Sequence, residues 1–127
     1  MTSMAIATCR SPPPIRFAAG ASMADLDGGI ARGDRACFSI DARIGQRLSV
    51  TQRDTGEGNI VLQLYRPGWK TAVSSEGASI LGQPLPGAED GTDAATWSGV
   101  LPATGAYLLV LGTTRGGGAY RMRIEIR

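Results

Sequence analysis

The chain contains no histidine. That removes the Ser-His-Asp and Cys-His arrangements that turn a weak hydroxyl or thiol into a nucleophile, and it leaves a structural zinc site short of ligands, since only Cys9 and Cys37 remain. Asp25 with Asp27, and Asp54 with Glu57, are carboxylate pairs by spacing. Glycoside hydrolysis, however, needs two carboxyl groups at a fixed separation with one pKa raised, and nothing around either pair supplies this. Glu89, Asp90 and Asp93 gather oxygen ligands of the kind calcium takes, but without EF-hand spacing, so a solvated acidic loop accounts for them and no metal is expected. No Gly-rich turn stands between a strand and a helix to hold phosphate. The chain is read as a non-enzyme without a cofactor, working by binding.

The 127 residues have room for one domain with a real core, and a 43% hydrophobic fraction is ordinary for such a domain. A net charge of +2 is too small to make nucleic acid the default partner. Lys70 is the one lysine against 12 arginines, a bias that a GC-rich genome explains. No stretch reaches the length of a membrane span. The N-terminus lacks the basic region and long apolar run of an intact signal peptide, although Ala5-Ile6-Ala7 has the form of a cleavage site. Cys9 and Cys37 can pair with each other or remain free thiols. A bridge would tie the N-terminal arm to the domain and is worth about 3 kcal/mol in the chain-entropy model.

The elements that position these residues are strands. Pro12-Pro13-Pro14 fixes three φ angles, so 1–13 reads as an extended Pro-rich arm and 14–127 as one domain. Runs rich in β-branched and aromatic residues recur at 15–17, 22–30, 36–42, 46–53, 59–65, 96–101, 106–113 and 119–127, about eight strands separated by Gly, Asp or Pro. No Gly-free window carries a sustained helical stripe. From Tyr120, the residues Tyr120, Met122, Ile124 and Ile126 alternate with Arg121, Arg123, Glu125 and Arg127, which predicts a half-buried strand with a wet, basic outer face. Leu48 and Val50 point inward in the same way, as do Phe38, Ile40 and Ala42. Ile60-Val61-Leu62 and Leu108-Leu109-Val110-Leu111 are apolar on both sides and are expected to be covered on both faces. Residues 68–95 read as a long loop with one short strand at 78–81.

An ordered series of turns runs through Ile15-Arg16-Phe17-Ala18-Ala19-Gly20-Ala21, Arg43-Ile44-Gly45-Gln46-Arg47-Leu48-Ser49-Val50, Leu64-Tyr65-Arg66-Pro67, then 97–107 and the Ala119-Tyr120 strand. Over roughly 14–127 this series resembles the bacterial pre-peptidase C-terminal domain superfamily, which includes small secreted lysozyme inhibitors. The resemblance implies an all-β, jelly-roll-like antiparallel β-sandwich in a periplasmic or secreted setting, with a protein partner such as a lysozyme. In the inhibitors a Ser-Gly-x-Tyr or Ser-Gly-x-x-Tyr turn enters the lysozyme cleft. The matching place here is Thr104-Gly105-Ala106-Tyr107, with Thr for Ser, which keeps the hydroxyl and adds a methyl.

On this reading Thr104, Gly105 and Tyr107 contact the partner, with Arg115 of the following hairpin as a helper. The competing reading of Tyr107 is a ring capping the core with its hydroxyl on a backbone group. Trp97 is expected to pack inward. Trp69, between Gly68 and Lys70, is expected in a loop, covered first by the long loop itself, or else by a partner protein or a sugar ring. Two alternatives accompany the inhibitor reading: self-assembly into an oligomer, fibre or surface layer through an exposed strand edge, and carbohydrate binding through Trp69.

Overall fold

The computed structural model describes Cys9 and residues 11–53, 59–74, 77–114 and 116–127. Among the described residues nine strands are formed: β1 (Met23–Ile30), β2 (Ala36–Ala42), β3 (Arg47–Gln52), β4 (Ile60–Tyr65), β5 (Lys70–Ser74), β6 (Gly77–Leu81), β7 (Trp97–Val100), β8 (Gly105–Thr113) and β9 (Gly118–Ile126). Two antiparallel sheets, ordered β1-β9-β3-β7 and β2-β8-β4, pack face to face, and β5-β6 is a separate hairpin. Except at that hairpin, successive strands alternate between the two sheets, which is the winding of a jelly roll. Among the described residues no helix is long and apolar enough to cross a membrane.

Period-two patterning places the core. Leu48, Val50, Ile60, Leu62, Leu64, Leu109, Leu111, Met122 and Ile124 are buried between the sheets. Tyr120 lies opposite Gly28 on β1, and a side chain at Gly28 would meet its ring, so the glycine lets the aromatic lie flat across the neighbouring strand.

The expectation of strands covered on both faces is met most clearly in β8. Leu108 and Val110 point away from the main core into a second cluster with Cys9, Cys37 and Tyr65, flanked by Trp69 and Ile80. Cys9 and Cys37 are joined by a disulfide, with Cα atoms 4.7 Å apart. This fastens the chain before Pro12 onto that outer face.

Three expectations are corrected. The 68–95 segment contains a hairpin, β5 paired with β6, rather than one short strand, because Lys70–Ser74 pairs locally despite its mixed polarity. Residues 15–17 form no strand: Pro14 makes an isolated parallel bridge to Ser39, and consecutive prolines without N–H groups cannot extend it. The outer face of β9 is not simply basic. β1 sets Asp25 opposite Arg123 and Asp27 opposite Arg121, while Arg127 pairs with Glu125 at 2.7 Å.

Candidate functional site

The matched turn lies at one end of the sandwich, between β7 and β8. Tyr107 is fully buried, and its hydroxyl bonds twice to one residue, accepting from the Ala103 N–H at 3.0 Å and donating to the Ala103 carbonyl at 2.5 Å. The ring is anchored in the core while its tip closes the four-residue turn above it. Tyr107 is therefore a positioning residue in this fold, because a fully buried ring offers no surface to a partner.

Thr104 is exposed, and its Oγ1 accepts a hydrogen bond from the Ile44 N–H at 2.9 Å. That bond joins the β7–β8 turn to the β2–β3 turn. Two backbone bonds add to it, from Gly45 N–H to the Leu101 carbonyl at 2.9 Å and from Leu101 N–H to the Gln46 carbonyl at 2.8 Å. The hydroxyl retains its own proton for a partner, since accepting uses only one lone pair.

Gly105 has φ 149°, and a Cβ there would sit 2.8 Å from Pro67 Cβ. Only glycine fits both the angle and the space. Pro67 belongs to the β4–β5 connection, as does Trp69, whose indole N–H donates to the Ala106 carbonyl at 2.8 Å. The 43–46 and 66–69 connections are thus both fastened to residues 101–106 at this end.

What this end presents is Arg43, Ile44, Pro102 and Thr104, all exposed. Ile44 is 66% exposed, the largest value among the exposed large hydrophobic side chains of the described residues. Turn patterning over Arg43-Ile44-Gly45-Gln46 does not by itself single out Ile44. An isoleucine in a turn, between an arginine and a glycine, has no burial to explain it, and that was the available signal. A groove of about 280 Å³ borders the same turn, lined by Phe17, Asp41, Ala42, Arg43, Gln46 and Ile126.

Of the other candidates, Trp69 braces this end through its indole N–H, and Trp97 is engaged elsewhere. Arg115 lies outside the described residues. Trp69 is half-buried against the second cluster with its N–H engaged, so its own surroundings cover it. Trp97 is half-buried too, its ring lying over Gly99 and its N–H donating to the Pro86 carbonyl at 2.8 Å.

The acidic loop is tied into its own surroundings. Glu89 Oε1 accepts from the Gly87 N–H at 2.7 Å, and Asp90 Oδ1 accepts from Gln63 Nε2 at 3.2 Å. Gln63 Oε1 accepts in turn from the Tyr65 hydroxyl at 2.6 Å. Burial, followed by the nearby Asp90 charge, pushes the Tyr65 phenol above its ordinary value. Among the described residues no group of three or more His, Cys, Asp or Glu side chains could hold a metal ion. Of the carboxylate pairs, Asp54 and Glu57 fall outside the described residues. Asp25 takes a hydrogen bond from Arg123 Nε at 3.0 Å, which holds its carboxyl below the ordinary range.

No protein-family model and no curated protein matches this chain. Solved structures do. PliG of Aeromonas hydrophila, a periplasmic lysozyme inhibitor of g-type lysozyme, shares 23% identity at a TM-score of 0.65, over 91% of this chain and 95% of that one. The Salmonella Typhimurium PliG matches with 22% identity and a TM-score of 0.60, over 90% of this chain and 96% of that one. A mutant of the Escherichia coli PliG matches with 22% identity and a TM-score of 0.59, again over 90% and 96%. Identity at this level shows a shared fold.

Proposed function

We propose that this protein is a non-catalytic, periplasmic or secreted inhibitor of a lysozyme, with the g-type enzyme as the first candidate, and a fold relative of the pre-peptidase C-terminal domains. The carrying observation is the β7–β8 turn: exposed at its tip, closed from beneath by Tyr107 and braced from the side by the Ile44–Thr104 bond. A turn held in one shape before binding loses little conformational freedom when it enters a cleft. The fold is shared with three proteins described as inhibitors of g-type lysozyme, which supports the choice of enzyme.

In this reading Thr104 offers its hydroxyl proton, Ile44 and Pro102 offer apolar contact, and Gly105 lets the turn lie close against Pro67. Tyr107 acts through the turn rather than by touching the partner. Trp69 likewise acts through the turn, by its bond to the Ala106 carbonyl.

The test is inhibition of cell-wall lysis by purified protein. Loss of g-type lysozyme activity at micromolar inhibitor, weakened by Ile44→Asp, is the expected result. Undiminished lysis by goose, chicken and invertebrate type enzymes would overturn the reading.

A further inference from the structure

An open strand edge invites pairing with another chain unless it is covered, shortened or charged. Among the described residues, three of the four sheet edges in the sandwich are covered or short. The edge of β2 is lined by the N-terminal segment, with Ile15 N–H donating to the Ser39 carbonyl at 2.8 Å and Ser39 N–H to the Pro13 carbonyl at 3.0 Å. The edge of β4 is met by residues 83–94, through bonds from Leu62 N–H to Ala94, Leu64 N–H to Ala88 and Arg66 N–H to Gln83. β7 is only 4 residues long. β1 is different: it runs for 8 residues, among the described residues no backbone bond reaches its outer edge, and what guards it is the charge of Asp25 and Asp27, which repels an acidic strand but not a basic one.

The register says which groups face outward. Ile126 N–H donates to the Ser22 carbonyl, so alternate residues Ala24, Leu26, Gly28 and Ile30 exchange bonds with β9. The N–H and C=O groups of Met23, Asp25, Asp27 and Gly29 therefore point away from the sheet. The same residues turn their side chains to the outer surface. There Asp25 is bound by Arg123, whereas Asp27 stands 3.9 Å from Arg121, both side chains at least 60% exposed. On the inner side Ala24 and Leu26 are partly buried beside the core, as is Phe38 of β2.

We propose that β1 is a docking edge for an extended strand of a partner protein carrying Lys or Arg at alternate positions and apolar residues between them. The backbone groups supply the ladder, and alternate side chains supply the choice of partner. Basic residues on the added strand would stand beside Asp25 and Asp27, and its apolar residues would extend the row of Ala24 and Leu26. Charge selects against a second copy: β1 paired antiparallel with itself brings the carboxylates of both strands into one row, and like charges opposite one another destabilise a sheet. The inference uses a different surface from the β7–β8 turn and stands or falls independently of the inhibitor reading.

The test uses the full chain, isotope-labelled, with two probes of about nine residues, one alternating Lys with Val and one alternating Glu with Val. The lysine peptide is expected to bind about ten-fold tighter than the glutamate peptide, and less tightly as salt rises. On binding, the amides of Met23, Asp25, Asp27 and Gly29 should gain protection from hydrogen exchange, while those of Ala24, Leu26 and Gly28 are protected already. The D25N/D27N variant, which leaves Arg121 and Arg123 uncompensated on that face, should lose or reverse the preference for the lysine peptide. Equal binding of both peptides by the unaltered protein, no binding, or protection that leaves those four amides unchanged overturns the proposal. So does protection of the four amides that rises with protein concentration in the absence of peptide, which would identify a second copy as the occupant.

Discussion

At the scale of single residues, the β7–β8 turn separates the group that shapes it from the groups it presents. Tyr107 does the shaping, so Tyr107→Phe should leave the Ala103 N–H and carbonyl without their common partner and cost about 1–2 kcal/mol in urea unfolding. Inhibition should weaken with it, although the ring touches nothing outside. Thr104→Ser should be close to silent, since it keeps the acceptor for Ile44. Thr104→Val should lose the tie and cost about 0.5–1.5 kcal/mol in the same measurement. Gly105→Ala should be the most severe of these, at least about 2 kcal/mol, because the added methyl meets Pro67 at a backbone angle that disfavours it. A Gly105→Ala protein with unchanged stability would mean that Pro67 gives way and that the turn is less fixed than its geometry shows.

At the scale of elements, the disulfide and the β5–β6 hairpin together give β8 its second covered face. Cys9 and Cys37 are separated by 28 positions, and a loop of that size contributes about 3–4 kcal/mol in the chain-entropy model. The midpoint of chemical unfolding should fall accordingly in reductant, and Cys9→Ser with Cys37→Ser should reproduce the fall. An unchanged midpoint would show that packing of Tyr65, Leu108 and Val110 suffices without the bridge. Much of this level was legible in the sequence: the alternation from Tyr120 gives β9, the doubly apolar Leu108-Leu109-Val110-Leu111 gives β8, and glycines mark the turns between. Long-range contacts were not legible. Nothing in Lys70-Thr71-Ala72-Val73-Ser74 announces a strand, because its partner in β6 supplies the pairing. The sequence could not place both cysteines on one sheet face or show that β1 carries carboxylates to the arginines of β9. At the turn, the Gly and Tyr pattern located the site, but which residues face out depends on Tyr107 reaching Ala103.

At the scale of the whole molecule, charge and burial set a pH profile with two limbs of different origin. With no histidine and both cysteines bonded, few groups titrate between about pH 5 and 9, and stability should be nearly flat there. On the acid side, the hydrogen bond from Arg123 lowers the Asp25 pKa below its ordinary 3.8. A lowered carboxyl pKa gives stability that is present above the unfolded value and lost as pH falls through the folded one. Because that pair is exposed, the acid limb should be small and should shrink further in high salt. On the alkaline side, burial raises the Tyr65 and Tyr120 phenols above their ordinary 10.0, helped by Asp90 and Asp27 respectively. The unfolded chain then releases these protons first, so stability should begin to fall as pH rises past about 10 and continue to fall up to the folded values. Desolvation, the leading cause, is not screened by ions, so this limb should persist in high salt where the acid limb fades. Tyr65→Phe should remove part of the alkaline loss while leaving the acid side as it was. Equal salt sensitivity of the two limbs in thermal unfolding across pH would show that surface pairing, rather than burial, governs both.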